Sequence, residues 1–60
     1  MISNHDKLQC VERELRFRER VYLRLVERGK MTEQQRKREL ELMQAIVDDY
    51  RALARAEALL

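Results

Sequence analysis

The chain has 60 residues, of which 40% are charged, and its 13 basic and 11 acidic side chains leave a net charge of only +2. So small a charge is weak support for a polyanionic partner, and the absence of any apolar run longer than three residues excludes a membrane span. A single cysteine excludes an intrachain disulfide framework and favours a reducing compartment, so we expect a cytoplasmic protein.

The first predicted helix covers residues 4–28. Ser3 and Asp6 form a capping pair at its start, because the serine oxygen can accept a hydrogen bond from a free backbone N–H of the first turn. Its apolar stripe rises in alternating steps of three and four residues, with one gap at Arg18. The stripe consists of Leu8, Val11, Leu15, Tyr22 and Leu25. Three further residues widen the apolar arc to about half the helix, more than one neighbouring helix can cover. They are Cys10, Phe17 and Val21.

Gly29, the only glycine, marks the end of the first helix, because glycine accepts the left-handed conformation that commonly closes a helix. Thr32 and Gln35 then match the capping box that starts a helix. The turn is therefore predicted at residues 29–32 and the second helix at 33–57. Two helices of similar length with so short a connection must pack antiparallel, which predicts an all-α, two-helix hairpin.

The second predicted helix has an apolar face that is expected to pack on the stripe of the first. Its members are Leu40, Met43, Ile46, Val47, Tyr50, Leu53 and Ala54. Folding back at the turn is expected to place Leu15 near Ile46 and Leu8 near Leu53, to within about one helical turn.

A single hairpin of this size is expected to be too small to be stable alone. Ordering 60 residues costs on the order of 90 kcal/mol, and two helices leave one side of each in water. Because disulfides and metal ligands are lacking, oligomerisation is the remaining source of stability. We therefore expect a homodimer in which two hairpins form a four-helix bundle. The expected core and dimer residues are Leu8, Val11, Leu15, Arg18, Tyr22, Leu40, Met43, Ile46, Val47 and Leu53.

Glu14 and Arg18 interrupt the apolar arc of the first helix and lie one turn apart. They form either a surface pair worth roughly a few tenths of a kcal/mol, or a partly buried pair that fixes the register between protomers. Glu39 holds an equivalent position in the second helix and could reach Arg18 or the hydroxyl of Tyr22. We favour a structural role for these residues over direct partner recognition.

Four arginines form a stripe on the outer side of the first helix. They are Arg13, Arg16, Arg20 and Arg24. Such a stripe could grip phosphates, and a dimer would present it twice. Acidic residues share that side, however, with Glu12 placed to pair with Arg16, and no aromatic residue is interleaved to stack on bases. A solvated charged surface is therefore the favoured interpretation, and a nucleic-acid-binding accessory dimer is the alternative.

No catalytic, cofactor or metal site is expected. The sequence places no nucleophile beside a base and contains no glycine-rich phosphate loop, and His5 is its only histidine. Cys10 is best interpreted as a small apolar packing residue. The candidates for contact with a partner are large apolar, tyrosine or arginine side chains. They are Phe17, Arg20, Leu23, Arg24 and Tyr50.

Five segments resemble a family of very small proteins encoded by tailed phages and prophages of Gram-negative bacteria. They are residues 6–15 (DKLQCVEREL), 20–22 (RVY), 29–32 (GKMT), 43–46 (MQAI) and 49–51 (DYR). Similar small phage-borne helical proteins include anti-activators that bind host regulators, among them one that blocks a quorum-sensing transcription factor. The resemblance implies a phage-encoded inhibitor that binds and masks a host protein in the host cytoplasm. A structural or assembly protein of the virion is a further alternative.

Overall fold

The computed structural model describes residues 1–60 and contains two helices, α1 (Asn4–Glu27) and α2 (Glu33–Ala58), and no strand. The helices pack against each other over their length and form a flat rod with extents of 47 × 17 × 12 Å. This confirms the predicted all-helical hairpin. α1 ends at Glu27, one residue earlier than predicted, and Arg28 is its C-cap, whereas α2 ends at Ala58, one residue later than predicted. Neither helix combines the length and apolar content that a membrane crossing requires.

The turn closes α1 with two hydrogen bonds around a left-handed glycine. Gly29 has φ of 73°, and its N–H donates to the carbonyl of Val26 at 3.0 Å. The N–H of Lys30 donates to the carbonyl of Leu25 at 2.8 Å. This pair of bonds is the Schellman motif, which satisfies carbonyl groups that the helix leaves free at its end. The predicted helix stop at Gly29 is confirmed.

The predicted capping box at the start of α2 is also present. The backbone N–H of Gln35 donates to the Thr32 hydroxyl oxygen at 3.0 Å, and the backbone N–H of Thr32 donates to the Gln35 side-chain oxygen at 3.0 Å. Each residue thus satisfies a backbone donor that the first turn leaves free. The connection between the helices is therefore short and defined by hydrogen bonds at both ends.

A single line of side chains from each helix forms the seam between them. In α2 the buried and half-buried positions are 36, 40, 43, 47, 50 and 54. In α1 the line consists of half-buried positions 8, 11, 15, 18, 22 and 25, and positions 4, 12, 14, 21 and 26 beside it are half-buried as well. Only Met43 and Val47, at 5% and 1% exposure, are fully buried. Alternating steps of three and four keep a narrow stripe facing one partner helix, as in a coiled coil. The hairpin therefore has a thin core.

Ile46 and Leu53 lie beside this seam, which corrects the prediction that they face the first helix. They are 42% and 48% exposed. Each precedes a seam residue, Val47 or Ala54, and successive residues point about 100° apart on a helix. The apolar side of α2 is wide enough to contact two neighbouring helices, and α1 covers only the half that is centred on Val47.

A contact between the start of α1 and the end of α2 links the two helices at the end of the hairpin opposite the turn. The backbone N–H of Asn4 donates to both carboxylate oxygens of Glu57, at 2.9 and 3.2 Å. Ser3 accepts from the N–H of Asp6 at 3.0 Å, as the capping pair predicts. A negative charge is favourable at the positive end of the helix dipole, so Glu57 stabilises the first turn of α1 from the other helix. This contact also shows that the helices run antiparallel, in the predicted register to within a turn.

Candidate interaction surfaces

The hairpin has two broad faces, which cross-helix contacts identify. On one face, Arg51 Nη2 lies 3.9 Å from Glu12 Oε2. On the other, Lys7 Nζ lies 5.9 Å from the centroid of the Tyr50 ring, a cation–π distance. In each helix, the residue just before a seam residue points about 100° away from the seam. Because the helices are antiparallel, these preceding residues lie on the same broad face in both helices. The remaining side chains can therefore be assigned to the two faces from the helical repeat of 100° per residue.

The face that carries Lys7 and Tyr50 is largely apolar. We call it the apolar face. Its members are Cys10, Phe17, Val21, Leu42, Ile46 and Leu53. Four of these, the phenylalanine, the two leucines and the isoleucine, are between 42% and 51% exposed. The antiparallel register places them in one strip along the middle of the rod. Glu14, Glu39 and Asp49 also precede seam residues, so these charged side chains lie on the same face and divide the strip. A group of exposed apolar side chains on so small a chain is typical of a contact with another protein.

The opposite broad face is charged, and its side chains interact mainly with one another. Asp48 accepts a hydrogen bond from the side chain of Gln44 at 3.0 Å and lies 3.6 Å from Arg51. Arg51 also reaches Glu12 of α1. These groups are largely exposed, so each pair contributes at most about 1 kcal/mol. The charged face has the properties of a solvated surface.

Arg18 fills the gap in the apolar stripe of α1 and pairs with Glu14. Its Nε donates to Glu14 Oε1 at 2.8 Å, and both side chains remain partly exposed. This hydrogen bond raises the pKa of the Arg18 guanidinium above its ordinary value, against the opposing effect of desolvation, and the nearby Tyr22 contributes in the same direction. Glu39 is exposed and has no ion-pair partner, so it does not take part in this group as expected.

The arginine stripe lies on the outer side of α1, away from α2. Its four members are exposed, and none has a carboxylate oxygen within 4.0 Å. The expected pair of Glu12 with Arg16 is not formed, because Glu12 is turned towards Arg51 on the charged face. The guanidinium groups of the stripe are therefore available to an anionic partner.

The candidate partner-binding residues do not form one surface. Phe17 belongs to the apolar face, whereas Arg20 and Arg24 belong to the arginine stripe. Leu23 is 46% exposed next to the stripe, about 120° around the helix from Phe17. Tyr50 is half-buried at the seam, beneath Lys7. The set thus divides into a contact on the apolar face and a contact on the outer side of α1.

The sequence places Leu42 at the flank of the apolar residues of the second helix, and in the structure it is 43% exposed and extends the apolar face one turn beyond Ile46. One feature was missed by sequence reasoning. The Glu57 cap was missed because it depends on the length of both helices. The only indication of this cap in the sequence is the periodicity of the seam, because Glu57 comes three residues after the seam residue Ala54.

The other surface features offer little for chemistry. Polar and charged side chains line both surface depressions of the rod. Cys10 is a free, exposed thiol on the apolar face. No group of three or more histidine, cysteine, aspartate and glutamate residues is arranged to hold a metal ion. Comparison with family models, with curated proteins and with solved structures gives no match for this chain.

Proposed function

We propose that this protein is a small, non-enzymatic protein–protein interaction module, encoded by a phage, that binds and masks a host protein such as a transcriptional regulator. Two hairpins associate through their apolar faces into a four-helix bundle in the host cytoplasm, and the dimer presents Arg20, Leu23 and Arg24 twice. The observation that carries the proposal is the exposed apolar face, because apolar strips of this kind mark protein contacts. The resemblance to phage-encoded anti-activators supports the choice of partner.

The dimensions of the hairpin are compatible with a second copy as the occupant of this face. One broad face of the hairpin measures 47 by 17 Å, or about 800 Å². A stable interface of standard size buries about 800 Å² on each partner, so one hairpin must use the whole face to form it. A two-fold axis allows the same patch to meet its own copy. The thin seam of the hairpin then becomes part of a larger core.

The mechanism is stoichiometric masking of the partner's functional surface. Association of the apolar faces leaves Arg20, Leu23 and Arg24 on the outside of the dimer. An apolar side chain supplies binding energy when it enters a pocket of the partner, and arginines at the rim orient the encounter. No substrate turnover is involved, so inhibition requires about one dimer for each partner unit that it covers.

Affinity capture from the lysate of the host tests this proposal. The tagged wild-type chain is compared with a variant that combines Arg20→Glu with Leu23→Asp, and with the control Arg55→Glu, which changes an exposed, unpaired arginine on α2. We expect one host protein to be captured by the wild type and by the control but lost with the double variant. The captured protein should lose its activity when titrated with the purified chain. Failure of the wild type to enrich any host protein over the double variant contradicts the proposal.

A nucleic-acid-binding accessory dimer is the second candidate, favoured by the four arginines without carboxylate partners. If a dimer engages six or more phosphates, its affinity for duplex DNA should fall by about a thousandfold between roughly 50 and 200 mM salt. An apolar protein contact depends far less on salt. Strong binding to duplex DNA with that steep dependence would favour this candidate over the interaction module.

A further inference from the structure

We propose that the outer side of α1 docks an acidic helical segment of the protein partner, an inference that rests on the proposed function. The surface is defined by the arginine stripe together with Leu23, and we call it the docking surface. It differs in chemistry and direction from the apolar face. Each hairpin therefore carries two separate contacts, one for its own second copy and one for a partner of opposite charge.

The spacing of the arginines matches a helical ligand. They follow one another at steps of three, four and four residues, so the first and the last are eleven positions or about 16 Å apart, which is three helical turns. A partner helix with carboxylates at the same steps presents them along one side at the same intervals. Arginine forms two parallel hydrogen bonds with a carboxylate, so each pair adds direction as well as attraction.

The surroundings of the stripe favour a short acidic segment over a nucleic-acid backbone. Asp6 lies two turns before Arg13 on the same side of the helix, and Glu27 lies two turns after Arg20. These carboxylates lie beside the stripe near its two ends and weaken its attraction for a polyanion, while Arg28 continues the basic surface past Glu27 by a further step of four. Leu23 adds an exposed apolar side chain, which a phosphate backbone does not require. A discrete acidic segment with one apolar side chain is complementary to this arrangement.

The docking surface stays accessible when two hairpins associate. The guanidinium groups point away from α2, and the dimer contact uses the neighbouring apolar face. A dimer therefore presents two docking surfaces, and a partner that is itself dimeric can engage both. Binding of the second site is then intramolecular and strengthens the complex without any new contact.

Designed peptides test the inference directly. The probe is a labelled helical peptide with glutamates at steps of three, four and four residues and one leucine on the same side. Its control has the same composition with the glutamates distributed around the helix. Fluorescence anisotropy compares the wild type, the variant Arg20→Glu with Arg24→Glu, and the matched control Arg38→Glu with Arg55→Glu. Each exposed ion pair is weak, but the two substitutions remove two of them and place glutamates opposite the glutamates of the probe. The first variant should therefore bind the probe at least about tenfold more weakly, and the control should bind it normally.

Each outcome decides for or against the docking surface. Preference of the wild type for the ordered peptide over its scrambled control supports it without depending on any variant. Equal binding of the two peptides overturns it, and so does tighter binding of a DNA duplex of equal charge. Capture of the same host protein by the wild type and by the Arg20→Glu, Arg24→Glu variant also overturns it, while the interaction module itself survives. If no host protein is captured at all, the proposed function fails instead.

Discussion

Replacement of Phe17 by alanine should weaken dimerisation strongly while leaving the hairpin folded. Phe17 is the most exposed large side chain on the apolar face, at 51%, and it contributes little to the seam. Alanine favours helix more than phenylalanine does, so α1 should keep its helicity. A loss of association can then be attributed to the face and not to unfolding.

The expected magnitude follows from the exposed area of the ring. A phenylalanine side chain has about 200 Å² of surface, so about half of it, some 100 Å², is free to be buried by a second copy. At about 25 cal/mol per Å², and allowing for the methyl group that alanine retains, the loss is about 2 kcal/mol for each copy. A two-fold interface contains the residue twice, which gives about 4 kcal/mol or a thousandfold increase in the dimer dissociation constant.

Sedimentation equilibrium over a range from nanomolar to high micromolar concentration measures this constant. The matched control is Leu23→Ala, because Leu23 is similarly exposed, at 46%, but lies outside the apolar face. We expect the control to dimerise as the wild type does. A wild-type chain that melts cooperatively as a monomer throughout this range would refute the argument, and so would a control that weakens dimerisation as much as Phe17→Ala does.

Three further substitutions test the hairpin itself. Val47→Ala removes two methyl groups from a side chain that is 1% exposed and should lower the free energy of unfolding by about 2 kcal/mol. Thermal melting measures this loss, and an unchanged melting temperature would contradict the packing of Val47 in the seam. Gly29→Ala meets no steric contact but must adopt φ of 73°, so chemical denaturation should show a loss of about 1 kcal/mol that comes from backbone strain. Glu57→Gln keeps the acceptor but removes the charge at the N-terminus of α1, and should lower stability by about 0.5 kcal/mol in low salt and by less in high salt. An effect of Glu57→Gln that does not depend on salt would argue against the dipole interaction.

The hairpin could be predicted because its signals are local. Gly29, Thr32 and Gln35 each act on backbone groups within a few residues, so their roles depend on the sequence around them and hardly on the rest of the chain. The alternating steps of the seam are likewise a property of each helix alone. These features determine where the helices begin and end and which line of side chains can face a partner.

The side-chain partners across the two helices could not be predicted in the same way. Glu12 has Arg16 one turn away in sequence, yet it lies closer to Arg51, which only the register of the second helix brings within reach. Glu57 caps Asn4 because the two helices are of similar length, with 24 and 26 residues, so their outer ends lie side by side. Small changes of register or crossing angle alter such contacts, and periodicity is not sensitive to those changes.

The division of the surface into two contacts follows from the thinness of the core. Because one line of residues per helix forms the seam, Phe17 and Ile46 are left half-exposed although they are large and apolar. An apolar residue in this position destabilises neither helix, and it lowers the free energy only when another chain covers it. The arginines on the outer side of α1 do not contribute to either the seam or that contact. In a chain of 60 residues, with so few side chains available, surfaces that the fold itself does not use are the best indication of what the protein binds.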